Sequence, residues 1–155
     1  MLARVVRRVP LNEVRRRMAE LDGKHGGKLP ALIGRSVGDQ LDKEMLEDYV
    51  EWSMMFHALR AYGEGEEFEY YTEETVNLGW REISRLTPRR LELLDRLSHI
   101  HVESINDLAA QVGRDVKNVH GDLQILRRLG FIRLVRRGRR ILPVLVVQEI
   151  TLLLG

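Results

Sequence analysis

The sequence predicts a mainly α-helical protein with one small β-hairpin near its C-terminus. Three observations support this: apolar residues of helical period in the first half, two capped helices around a four-residue turn in the second half, and an arginine-rich segment that alternates as a hairpin does. We predict a helical N-terminal extension over residues 1–80 and a domain over residues 81–155. A chain of 155 residues has room for a small domain with an extension that packs on it.

Two helices are predicted in the extension. The first follows LNEVRRRMAELDG, in which Leu11, Val14, Met18 and Leu21 recur at helical spacing before Gly23 ends the pattern. The second runs from about Asp42 to Tyr62 and has an apolar seam at spacings of four and three residues, made of Met45, Tyr49, Trp52, Phe56 and Leu59. A seam this aromatic must be buried, either inside the chain, against a bound partner or in a dimer. The acidic segment after it reads as a weak strand or a linker.

The domain begins with two helices whose ends are marked in the sequence. Thr87 and Pro88 are typical of an N-cap and first turn, and they precede Leu91, Leu94 and Leu97 at helical spacing. Ser104 and Asp107 form a variant capping box. This box opens a helix whose predicted inner face is made of Ile105, Leu108, Ala109 and Val112.

A third helix and a hairpin complete the domain. Gly113 ends the second helix, and Asp115 can cap the next. The apolar residues of this third helix predict its buried face: Val116, Val119, Leu123 and Leu126. Gly130 ends it, and strands are predicted over residues 131–136 and 139–147 around a turn at Arg137 and Gly138. This order is that of a winged helix-turn-helix, in which the small Ala109 and the tight turn let two helices cross closely.

The outward face of the third helix, residues 115–129, is rich in hydrogen-bond donors. On a helical wheel this face collects Arg114, Lys117, Asn118, Gly121, Gln124, Ile125 and Arg128. Amides pair with adenine, and cationic side chains pair with guanine or phosphate. Lys117 and Asn118 are the predicted base readers, because recognition helices enter the major groove N-terminus first. Gly121 costs about 1 kcal/mol of helix stability against alanine, and close approach to DNA or neutral drift would each explain it.

The hairpin, or wing, spans residues 133–140 and has four arginines around Gly138: Arg136, Arg137, Arg139 and Arg140. A solvated turn would tolerate one or two arginines, whereas four favour a polyanion. We predict that this tip contacts phosphate or enters the minor groove.

Residues 86–150 resemble a family of small predicted winged-helix transcriptional regulators of archaea and bacteria, similar to MarR-type and ArsR-type repressors. The resemblance lies in LTPRRLELLDRL, INDLAAQVGRDVKNVHGDLQILRRLGFI and LPVLVVQEI, and GRDVKNVHGDL is its most specific part. It implies sequence-specific binding of double-stranded DNA through the helix and the wing, often as a homodimer. Some relatives are thought to be antitoxins, and an arginine commonly stands where this chain has Gly121.

Charge is unevenly distributed along the chain. Residues 1–35 hold nine Lys or Arg and three Asp or Glu, residues 36–80 hold two and twelve, and residues 81–155 hold fourteen and eight. A basic final third suits a polyanion, and an acidic middle avoids it or attracts a basic partner. Merely solvated charged faces would give the same pattern.

Composition excludes several classes of protein. Hydrophobic residues make up 44% of the chain, which is typical of a folded protein. There is no cysteine and no apolar run of about 18 residues, so we expect a cytoplasmic protein without disulfides or a membrane span. His99 and His101 would need another ligand to hold a metal. No nucleophile, base or phosphate loop accompanies the glutamates of residues 64–69, so we expect no enzyme, cofactor or metal.

A rival hypothesis assigns function to the acidic half of the chain. The stretch from Asp39 to Glu74 would bind and neutralise a basic protein partner, as an antitoxin does. A small basic toxin-like reading frame beside the gene would favour this hypothesis. RNA binding through the same basic faces is a third alternative.

Overall fold

The computed structural model describes residues 1–36 and 41–155 and has an α+β fold. Its elements in chain order are β1 Leu2–Arg8, α1 Leu11–Lys24, a 3-10 turn Pro30–Leu32, α2 Lys43–Gly63, β2 Tyr71–Asn77, α3 Trp80–Ser84, α4 Pro88–His99, α5 Ile105–Val112, α6 Val116–Arg128, β3 Ile132–Arg137, β4 Arg140–Leu145 and β5 Val147–Leu153. One sheet has the strand order β2-β1-β5, and the other is the hairpin of β3 and β4. The prediction of one hairpin in a mainly helical chain was therefore too narrow.

The chain forms two compact units. The first unit combines Met1–Arg8 with Thr72–Gly155, and the second unit is Val9–Tyr71. We had divided the chain after residue 80, but β1 pairs antiparallel with β5, from Leu2 opposite Leu153 to Arg7 opposite Val147. β1 has three arginines among its seven residues, and its partner β5 lies about 150 residues away at the other end of the chain, so local sequence does not indicate the pairing.

The core of the first unit lies among α4, α5, α6 and the strands, and it includes the buried Val5 of β1. The predicted inner face of α5 is confirmed, since Ile105, Leu108 and Ala109 are buried and Val112 packs against them. One predicted interior position was wrong, because Val116 is 42% exposed. Of the leucines at helical spacing in α4, Leu91 is 44% exposed. The buried side of α4 centres on Leu93 and Leu94, and Val116 is the first residue of α6.

Local hydrogen bonds define the ends of these helices. The predicted caps at Thr87, Ser104 and Asp115 are confirmed, because each side-chain oxygen accepts a backbone N–H two or three residues further on, at 3.4, 3.0 and 2.9 Å. Gly113 and Gly130 follow α5 and α6 with φ of 67° and 79°, which glycine adopts without steric cost. The turn between α5 and α6 is thus specified by a few adjacent residues.

The second unit is built from α1 and α2, and both predicted helices are confirmed. Its core includes Val14 and Leu21 of α1 and all five residues of the seam. Trp52 is buried, and Met45, Tyr49, Phe56 and Leu59 are partly buried against the core. The seam therefore packs inside this chain. Asp39, the predicted start of the acidic stretch, lies outside the described residues.

Among the described residues, no helix is long and apolar enough to span a bilayer.

Candidate nucleic-acid interface

The polar side of α6 is solvent-facing along most of its length. Lys117, Asn118 and Arg128 are exposed, and Gln124 is partly buried. The carboxylate of Asp115 accepts the backbone N–H groups of both Lys117 and Asn118, at 2.9 and 3.3 Å, so the first turn is held in place. The side-chain oxygen of Gln124 accepts a hydrogen bond from Arg127 at 3.0 Å, which orients its amide. Most of the predicted donors are thus available to a partner.

Gly121 lies in the middle of this exposed side. A Cβ atom added there would meet no other heavy atom within 4 Å. Packing within the chain therefore does not require glycine at this position. Neutral drift and close approach of an external molecule remain the two explanations.

Arg114 differs from the other predicted contacts because its side chain is only 16% exposed. Its Nη2 donates to Oδ2 of Asp122 at 2.6 Å, and Oδ1 of the same carboxylate accepts from Nε of Arg90 at 3.0 Å. Sequence reasoning missed Asp122 and Arg90. Asp122 falls between the apolar and polar sides of the helical wheel, and nothing local indicates that Arg90 reaches it.

A groove of about 680 Å³ runs beside α6 and contains these ion pairs. One wall is the first turn of α4, Thr87 to Arg90, and the other includes Lys117, Asn118 and Gly121. The charged residues that line it are one acid, Asp122, and four cations: Arg89, Arg90, Arg114 and Lys117. Its charge suits an anionic partner. In the sequence, the two arginines that follow Pro88 at a capped helix start could have indicated this basic wall.

The predicted hairpin is present, but its turn lies one residue later than expected and its second strand ends at Leu145, because Val147 begins β5 in the other sheet. Arg137 pairs with Arg140, so the two-residue loop consists of Gly138, with φ of 61°, and Arg139. A glycine with positive φ in the first loop position matches the right-handed twist of the strands. All four predicted arginines are exposed: Arg136, Arg137, Arg139 and Arg140.

The hairpin tip and α6 share a second cleft, of about 510 Å³. Arg139 and Arg140 line it together with His120 of α6 and Glu103, which precedes α5. Nη1 of Arg140 lies 3.3 Å from Oε2 of Glu103 in an exposed ion pair. The structure therefore brings the tip close to the flank of α6, while Gln124 and Arg128 line neither the groove nor this cleft.

The part of the chain that the structure describes contains no cluster of side chains suited to bind a metal ion. There, no three His, Asp or Glu side chains come together as a metal site requires. Nδ1 of His99 instead lies 2.8 Å from the carbonyl oxygen of Asp95.

A family model described as HVO_A0114 matches residues 85–152 of this chain. This range covers less than half of the chain and contains α4, α5, α6 and the hairpin. No curated protein and no solved structure matches the chain.

Proposed function

We propose that this protein is a sequence-specific DNA-binding transcriptional regulator built on a winged helix-turn-helix. The observation that supports this best is the pairing of two basic features in the first unit. Lys117 and Asn118 are exposed at the start of α6, and the hairpin tip, with its four exposed arginines, shares a cleft with the same helix. An exposed, donor-rich helix beside a basic hairpin is the arrangement with which such proteins bind duplex DNA.

The two features have different roles in this proposal. Lys117 and Asn118 enter the major groove, where the donor and acceptor pattern differs for every base pair. The hairpin arginines contact phosphates or the minor groove, which adds affinity for any sequence. We further propose that the protein acts in the cytoplasm as a homodimer, which would present two copies of α6 to a palindromic site.

The test compares two labelled duplexes, the region upstream of the protein's own gene and a scrambled duplex of equal length and composition. Binding of the purified full chain is measured at about 50 and about 200 mM salt, because phosphate contacts weaken steeply over this range. We expect at least about 10³-fold tighter binding to the upstream region at the higher salt. Equal binding to both duplexes that disappears with salt would contradict the proposal. Sedimentation of the bound protein gives its stoichiometry.

A second candidate is an antitoxin-like role for the second unit, in which acidic side chains bind a basic protein. Glu64, Glu66, Glu67 and Glu69 are all exposed in one short segment of this unit. Such a segment attracts cationic surfaces at ionic strengths where screening is weak. Co-expression with the product of a small basic reading frame beside the gene, followed by co-purification, tests this role. Absence of any such reading frame would argue against it.

A further inference from the structure

We propose that Asp122 determines the sequence specificity of this interface by holding Arg90 and Arg114 away from the phosphate backbone of DNA. The inference rests on the proposed function and assigns Arg114 a positioning role instead of a DNA contact. Asp122 would act through the two arginines and through the orientation of α6, without itself touching DNA.

The geometry of the three side chains is that of a double ion pair. Each oxygen of Asp122 accepts from a different guanidinium, Oδ1 from Arg90 at 3.0 Å and Oδ2 from Arg114 at 2.6 Å. The side chains of Arg90, Arg114 and Asp122 are only 19%, 16% and 16% exposed. Charge-assisted hydrogen bonds that are this shielded from water are stronger than ordinary surface ion pairs.

The double ion pair joins three separate parts of the first unit. Arg90 belongs to the first turn of α4, Arg114 to the turn between α5 and α6, and Asp122 to the middle of α6. Arg90 is itself fixed, because its Nη1 also donates to the carbonyl oxygen of Arg85 at 2.9 Å. Asp122 lies one helical turn after Asn118, on the same side of α6. Holding Asp122 therefore also orients the residues that we propose to read bases.

The charges that line the groove explain how the ion pairs of Asp122 affect sequence specificity. Without Asp122, the groove would present four cations to DNA: Arg89, Arg90, Arg114 and Lys117. Base contacts fix the register of the specific complex, whereas in non-specific complexes a free cation can reach a phosphate in any register. Released arginines would therefore raise the affinity for scrambled duplex more than the affinity for the upstream region. Asp122 engages two of the four, so a larger share of the binding depends on base contacts.

The test substitutes Asp122→Asn in the full chain and measures binding to the upstream and scrambled duplexes from about 50 to about 300 mM salt. Two released arginines should steepen the dependence of log K on log salt by about one to two, at about 0.9 for each phosphate contact. We expect about 10-fold tighter binding to scrambled duplex and a smaller preference for the upstream region. Unchanged or weaker binding to scrambled duplex by the folded variant would overturn the proposal.

Asp95→Asn is the matched control. It changes the net charge equally but removes an exposed carboxylate of α4 that lies 3.6 Å from His99. We expect its salt dependence to equal that of the wild type. A slope as steep as that of Asp122→Asn would mean that net charge alone is responsible, and this would overturn the proposal.

Arg114→Gln tests the proposal independently, and this test remains valid if Asp122→Asn does not fold. If Asp122 keeps Arg114 from phosphate, this variant retains the wild-type salt slope and loses part of the preference for the upstream duplex. A slope shallower by about 0.9 would show that Arg114 contacts a phosphate, and the proposal would fail.

The wild-type measurement separates this inference from the proposed function. A wild type without preference for the upstream duplex contradicts the proposed function and the inference together. A clear wild-type preference that both variants retain, with the wild-type salt slope, overturns the inference alone.

Discussion

Asp48 is a buried acid of the second unit and shows how a single residue contributes to the stability of that unit. Its Oδ2 lies 2.7 Å from Nζ of Lys24 and 2.7 Å from Nε2 of His25. Hydrogen bonds from Lys24 first, and from His25 second, lower the pKa of Asp48 below its ordinary value. Because the folded-state pKa lies below the unfolded one, the carboxylate stabilises the fold above about pH 4, and this contribution is lost as the pH falls through the folded-state pKa.

We expect Asp48→Asn to lower the melting temperature at pH 7 by about 5 °C, since a buried, ion-paired carboxylate loses its charge. The difference from the wild type should shrink as the pH falls from about 4 through the lower folded-state pKa of Asp48, where the wild-type carboxylate becomes protonated. Thermal denaturation followed by circular dichroism at several pH values measures both effects. Glu47→Gln, which alters an exposed pair with Lys43, should leave the melting temperature nearly unchanged. A constant difference between Asp48→Asn and wild type at every pH would refute this account.

At the scale of elements, the proposed DNA binding assigns different roles to α6 and the hairpin. Lys117→Ala with Asn118→Ala should change the sequence preference, because base contacts are lost. Arg137→Glu with Arg139→Glu should weaken binding to every sequence and reduce the salt slope by about two. A salt titration on upstream and scrambled duplexes distinguishes the two pairs. Equal losses of specific and non-specific affinity for both pairs would disprove this division.

Two glycines of the same motif should respond in opposite ways to alanine. Gly121→Ala should raise the free energy of unfolding by about 1 kcal/mol, because the added methyl group meets open space in a helix. Gly113→Ala should lower it by about 1 kcal/mol or more, because φ of 67° disfavours a Cβ atom. Urea denaturation of both variants measures the two changes in the free energy of unfolding. Changes of the same sign would be inconsistent with this reasoning.

Gly121→Ala also tests why glycine stands there. We expect unchanged DNA affinity, as neutral drift at an exposed position implies. A more stable variant that binds DNA more weakly would instead indicate that DNA approaches the backbone of α6 closely.

At the scale of the whole molecule, the first strand of the chain completes the core of the unit that holds the candidate interface. Val5 of β1 is fully buried in the same cluster as Leu93 and Leu123. Stability of the interface unit therefore depends on residues far from it in sequence.

We expect Val5→Ala to lower the free energy of unfolding by about 2 kcal/mol, since it removes buried methyl groups and leaves a cavity. Val6→Ala is the matched control, because its side chain points to the opposite face of β1 and is partly exposed. The loss of unfolding free energy in Val6→Ala should be well under half of the loss in Val5→Ala. Equal effects in urea denaturation would show that the burial of Val5 adds no stability beyond that of a partly exposed residue of the same strand.

Much of the candidate nucleic-acid interface could be predicted from sequence, because the interactions that shape it are local. Caps at Thr87, Ser104 and Asp115 act within three residues, and Gly113 ends α5 by its own backbone conformation. Exposure of Lys117 and Asn118 likewise follows from the helical period of the apolar residues. The ion pair of Arg114 could not be foreseen, because its partner Asp122 was not recognised and is shared with Arg90, thirty-two residues away in sequence.

The sequence by itself determined α1, α2, α4, α5 and α6, the turn between α5 and α6, and the hairpin with its basic tip, but not the short α3. Only the tertiary structure decided that β1 pairs with β5, that the aromatic seam packs against α1, and that Asp122 engages two arginines in the groove. The reason is physical. Backbone caps and periodicity act over one or two helical turns, whereas strand pairing and buried ion pairs join residues that only the folded chain brings together.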